Sequence, residues 1–198
     1  MRCARSVAPA SASPAASACG VTAAAVIERG HVASPAGRAV ASRAVSVARF
    51  VPDEFDPPRG MVLPEFQLVP LGAEHNESDH AAWTSSIAHI RATPGFESTD
   101  WPPTEGMSLD ANRGDLEGHA RDFAERTGFT FTVLRPATEE VIGCLYIYPA
   151  KDGDHDAQVR SWVRADVAEL DAPLYAAVSR WLAERWPFER VIYADRAA

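Results

Sequence analysis

Three sets of side chains in this 198-residue chain have types and spacing suited to chemistry. The first is the polar run His75, Asn76, Glu77, Asp79 and His80. A carboxylate or imidazole there could take a proton, so Glu77 and His75 are candidate general bases. Glu77 also fits a plain structural role, a first-turn carboxylate favoured by the helix dipole. The second set is in VIGCLYIY (141–148), where the Tyr146 and Tyr148 hydroxyls could stabilise a developing negative charge. Packed aromatics with tethered hydroxyls would leave the same pattern. The third set is Arg160 and Arg164 on either side of Trp162, suited to a phosphate or a carboxylate, or to salt bridges with the abundant acids.

Other chemistries find little support. His75, His80, His89, His119 and His155 match no metal-ligand spacing, so no metal is expected. Cys3, Cys19 and Cys144 form no CxxC pair and are odd in number, against a disulfide scaffold. Cys144, between Gly143 and Leu145 in a strand pattern, reads as a small buried apolar residue. Trp101 sits in the Pro- and Gly-rich loop 93–106, either as a lid over a ligand or as a pin for the loop.

The elements that would position these groups follow from hydrophobic period. Glu65–Leu71 predicts a strand. Trp83, Ile87 and Ile90 share a face of one helix running from Asn76 or Ser78 to about Arg91. A second helix follows Ser108 and runs to about Arg126, with Leu116, Ala120 and Phe123 inward and Gly128 as its stop. The period then changes to two in strands at 129–134, 141–148 and 158–164, with an Asp-Gly turn at 152–153. On strict alternation Ile142, Cys144 and Tyr146 share one face of the middle strand, and Gly143, Leu145 and Ile147 the other. Asp171 caps a third helix to about Trp186, and 188–194 closes with a strand. The order β-α-α-β-β-β-α-β predicts an α+β fold: a mixed, mostly antiparallel sheet with helices on both faces and a right-handed parallel crossover at the end.

Composition divides the chain near Phe50. Residues 1–50 carry six Arg and one acid, with 16 Ala, and the first Leu is Leu63. So few large apolar groups predict a disordered segment. It reads as a targeting peptide, a tether, or translated sequence upstream of the true start; the last is favoured by an Arg-for-Lys bias typical of GC-rich genomes. Residues 51–198 hold 13 basic and 26 acidic side chains and form the expected globular domain. A net charge of −8 argues against nucleic acid or an anionic membrane as partner, and no apolar run is long enough to span a bilayer. A cytoplasmic location is expected.

The strand order, with the text from 141 onward, resembles the GCN5-related N-acetyltransferase (GNAT) family over roughly residues 64–195. VIGCLYIYP resembles its third strand, AQVRSWVRAD its fourth, and APLYAAVSRWLAERWPFERVIY the following helix and fifth strand. HNESDHAAWTSSIAHIRATPGF resembles a small bacterial subgroup. The resemblance implies an acyl-CoA N-acyltransferase-like fold, C-terminally short. It implies acetyl transfer from acetyl-CoA to an amine of a small molecule or protein. Acetyl-CoA would sit between the strands at 158–164 and 188–194, at Trp162, Val163, Arg164 and Leu174. The acceptor would lie near the first helices, with Glu77, Tyr146 and Tyr148 as catalytic candidates. The alternative is a non-catalytic relative that binds a small molecule or a protein.

One departure concerns the acyl donor. Where the family has a glycine-rich pyrophosphate loop, this chain reads Ala168-Glu169-Leu170-Asp171-Ala172-Pro173. Pro173 has no N–H to donate, and two carboxylates stand where a diphosphate would sit. The fifth strand is expected to be an exposed edge that a second copy in a homodimer, or another partner, would cover.

Overall fold

The computed structural model describes residues 49–196, so the readings of 1–50 lie outside the described residues except at Arg49 and Phe50. The elements are β1 (Met61–Val62), β2 (Gln67–Pro70), α1 (Asn76–Thr84), α2 (Ile87–Ala92), α3 (Leu109–Glu125), β3 (Phe129–Leu134), β4 (Val141–Pro149), β5 (Ala157–Val163), α4 (Asp171–Arg185) and β6 (Val191–Tyr193). The six strands form one sheet in chain order, antiparallel except for the parallel β5–β6 pair. This is the expected mixed sheet, with β1 as an added strand.

Two apolar layers cover the sheet. Phe129, Phe131, Leu145, Ile147, Val159 and Val163 face α4 through Leu174, Val178 and Trp181. The opposite face packs Cys144 and Trp162 against Trp83 of α1, Ile90 of α2 and Leu116 of α3. Helices therefore lie on both faces. α3 starts as its sequence predicts, with the Ser108 hydroxyl accepting from the Ala111 N–H at 3.1 Å. It ends at Arg126, whose left-handed φ of 63° lets Thr127 N–H return to the Asp122 carbonyl.

Three local expectations are corrected. The single helix over 76–91 is broken at Ser85–Ser86. The Thr84 and Ser85 hydroxyls donate back to the carbonyls of His80 and Ala82, which competes with continuing the helix. Ser86 instead accepts from the Ala165 N–H, tying the break to the turn before α4. Strict alternation in β4 also fails. Val133 pairs with Gly143 and Leu134 with Val141, which leaves Ile142 as the extra residue of a bulge. Ile142 therefore joins Leu145 and Ile147 in one core, and Val141 joins Cys144 in the other. Gly143 is required there, since a Cβ would stand 2.2 Å from the Trp162 carbonyl oxygen. Finally, Asp171 does not cap α4: Leu170 holds the cap position and no side chain bonds there.

Candidate functional site

Alternation beyond the bulge carries Tyr146 and Tyr148 of β4 to the face of Cys144, where they line a cavity of about 440 Å³. Arg160 of β5 lines one side and His119 of α3 the other. Phe96 and Trp101 of the 93–106 loop supply apolar walls. Trp101 serves as a pin for the loop. It borders the cavity and also packs against Trp83, Phe96, Tyr146 and Trp162 at centroid distances of 5.8–6.2 Å.

A polar relay crosses the cavity floor. The Tyr148 hydroxyl donates to Asp122 Oδ2 at 2.8 Å and lies 2.7 Å from His119 Nδ1. A phenol has one proton, so its oxygen accepts from His119 Nδ1–H. That bond fixes the tautomer and leaves the lone pair on Nε2, which has no hydrogen-bond partner among the described residues. Burial lowers the His119 pKa from its ordinary 6.5 despite nearby Asp122 and Asp115, so the ring is neutral at neutral pH. Burial raises both phenols above the ordinary tyrosine range. Both tyrosines are therefore hydrogen-bond donors and not bases. Tyr146 in turn accepts from Trp162 Nε1–H at 3.4 Å.

The structure brings Tyr146 and Tyr148 together and leaves Glu77 apart. Glu77 is exposed on α1, beside Arg113 in a separate surface depression. His75 lies 3.2 Å from Thr132 and does not line the cavity. The imidazole at the cavity is His119, weighed from sequence only as a metal ligand. Its signal was present: Asp115, His119 and Asp122 recur at i, i+4 and i+7 on α3, one stripe beside the apolar face.

The residues expected at the acyl donor are differently placed. Trp162 and Leu174 have no exposure and belong to opposite cores, and Val163 is almost fully buried. Arg164 pairs with Glu140 and Asp166. The strands at this point do separate: β5–β6 pairing stops at Val159–Tyr193, leaving Arg160–Val163 without a partner on β6. Arg196 fills the gap. Its Nε donates to Asp171 Oδ2 at 2.6 Å, and its Nη2 donates to the Ser161 carbonyl at 2.9 Å. Nη1 donates to the carbonyls of Ala194 and Pro94 at 2.8 and 3.2 Å. The guanidinium lies against the rings of Tyr175 and Tyr193, and the Tyr193 hydroxyl bonds the Ser161 hydroxyl. Arg196 thus takes the free edge carbonyl of β5 that an incoming amide would need. With Asp171 and Pro173 at the start of α4, the residues as arranged do not fit a nucleotide thioester.

A second buried polar group backs the cavity. Asn112 of α3 donates to Asp79 Oδ2 and Asn76 Oδ1, both at 3.0 Å, and accepts from Trp83 Nε1–H at 2.8 Å. Burial raises the Asp79 carboxyl to about 6 against the pull of the Asn112 bond. No set of three or more His, Cys, Asp or Glu among the described residues is placed to hold a metal ion.

No protein-family profile matches the chain, and no curated protein matches it. Solved structures do. A ribosomal-protein-S5-alanine acetyltransferase from Vibrio fischeri superposes with a TM-score of 0.52 at 11% identity, covering 67% of this chain and 71% of that one. An acetyltransferase from Salmonella typhimurium that modifies the N-terminal serine of ribosomal protein L7/L12 gives 0.51 at 13% identity, covering 66% and 71%. The described residues have the α+β acyl-CoA N-acyltransferase-like fold of the GNAT acetyltransferases.

Proposed function

We propose that the domain is an N-acetyltransferase whose amine acceptor, carried by a small molecule or a protein, occupies the cavity between α3, β4 and the 93–106 loop. The observation that carries this reading is the neutral His119 with Nε2 free, held by Tyr148 and Asp122. An amine arrives as an ammonium ion and must lose a proton before it can attack an acyl carbon. His119 Nε2 takes that proton. The Asp122 carboxylate, reached through the Tyr148 hydroxyl, stabilises the imidazolium that forms. Tyr146 supplies a fixed O–H beside the reacting amine, and Trp101 and Phe96 keep water away. The fold neighbours that act on ribosomal proteins are consistent with an α-amine acceptor. Acetyl-CoA would be the acyl donor only once Arg196 has left the crevice, and no donor step is open in the arrangement described above.

The Arg196 contacts favour a second reading, a binding domain that keeps the acceptor cavity and has lost donor binding. Thiol release from acetyl-CoA across an amine panel separates the two. The enzyme reading expects amine-dependent release that falls by about 10²–10⁴ in His119→Ala. Release unchanged in His119→Ala removes the role given to His119. Amine binding without release, in the wild type and in Arg196→Ala, establishes the second reading.

A further inference from the structure

Arg160 lines the cavity without a charged partner among the described residues. Its Nε is shut off from solvent and makes no hydrogen bond among the described residues. No carboxylate among the described residues lies within ion-pair distance of its guanidinium, although residues 51–198 hold twice as many acids as bases. By contrast Arg164, four residues further on and just past the end of β5, holds two carboxylates. A guanidinium kept away from the protein's own acids and aimed into a cavity is a preformed site for a planar anion. Lys151 lines the same side and adds to the positive field.

The other side of the cavity has the opposite preference. Asp115 and the free Nε2 of His119 lie on α3, and both favour an ammonium group. His119 also lies 3.3 Å from Thr130 of β3, so it stands over the β3–β4 side of the sheet. Arg160 is on β5, in register with Tyr146. The strand that carries Arg160 and the strands beneath His119 are one to two strand spacings apart, roughly 5–10 Å. Between the two polar ends stand the rings of Tyr146, Trp101 and Phe96.

We infer that the cavity takes a small molecule with an amine at one end, a carboxylate at the other, and an apolar or aromatic body between. The carboxylate is held by Arg160 and the amine by the His119 side. This inference rests on the acceptor reading above and narrows it to acid-bearing amines. A free α-amino acid, with both charges on one carbon, is too short to satisfy both ends.

Calorimetry on the full chain tests this with three probes: 4-(2-aminoethyl)benzoate, phenethylamine and 3-phenylpropionate. The bifunctional probe is expected to bind at least about tenfold more tightly than either single-ended one. Arg160→Gln is expected to bind the bifunctional probe and phenethylamine alike, with the near-ultraviolet dichroism of the tryptophans showing that the fold is kept. Equal wild-type affinity for the bifunctional probe and phenethylamine overturns the inference and leaves the amine site standing. Equal affinity for the bifunctional probe and 3-phenylpropionate overturns the amine site and leaves Arg160 as an anion site. Silence from all three probes overturns both. A preference that survives Arg160→Gln removes Arg160 from the account.

Discussion

Replacing Arg196 with alanine would remove four carbonyl or carboxylate partners at once and open the gap beside β5. The Arg196 side chain is only 4% exposed and that of Asp171 18%. Removing one partner of such a pair costs about 3–5 kcal/mol, because the remaining charge stays buried. Asp171 is poorly placed to absorb that loss, since its Oδ1 already lacks a partner. In a domain of this size each kcal/mol moves the midpoint by about 2–4 °C, so differential scanning calorimetry should register a drop of roughly 6–20 °C. Asp171→Asn added to Arg196→Ala should recover part of it by removing the stranded charge. Coenzyme A binding should move the other way. If closing the gap is worth about 3 kcal/mol, the open form is populated at only ~1%, and apparent affinity is reduced about 100-fold. Titration calorimetry should therefore find coenzyme A bound about 100-fold more tightly by Arg196→Ala than by wild type. A further gain is expected with Asp171→Gly and Pro173→Gly, which remove a like charge and restore an N–H. If Arg196→Ala is destabilised as expected and the triple variant still gives no heat with millimolar coenzyme A, then the gap is not a donor site and Arg196 is a structural contact.

The remaining predictions concern the cavity and its supports. Asp79 holds its proton up to about pH 6 when folded and to 3.8 when unfolded, so its contribution to stability is complete at low pH and is lost as pH rises from about 4 to 6. Asp79→Asn should therefore match wild type in urea unfolding at pH 4 and exceed it by about 1–3 kcal/mol at pH 8; an equal difference at both pH values would refute this. His119 has the opposite sign. Its folded pKa is depressed, so it costs stability as pH falls below about 6.5, and any turnover should keep its alkaline plateau to a lower pH than a free histidine allows. Gly128→Ala would place a methyl 2.2 Å from the Tyr148 ring, displacing the phenol from His119 and Asp122. A loss of about 1–3 kcal/mol and a rise in the His119 pKa, followed by NMR titration, are expected. Glu77→Gln, exposed on α1 and away from the cavity, should leave probe binding unchanged.

The amino-acid sequence by itself determined the parts of this protein that depend on local period and capping. Alternation in 129–134 and 158–164 fixed β3 and β5, the Ser108 cap fixed the start of α3, and the strand order fixed the sheet. It also placed Tyr146 and Tyr148 on the strand that lines the cavity. Only the tertiary structure decided the rest. The Ile142 bulge depends on how β3 and β4 pair, and it decides which core Val141 and Ile142 enter. The His119–Tyr148 bond spans 29 residues and the Arg196–Asp171 bond 25. A helix or strand period relates residues a few positions apart, so no local pattern records which distant side chains will meet. Asp171 illustrates the limit: its position before a helix suggested a cap, but burial beside a cation made it an ion-pair partner.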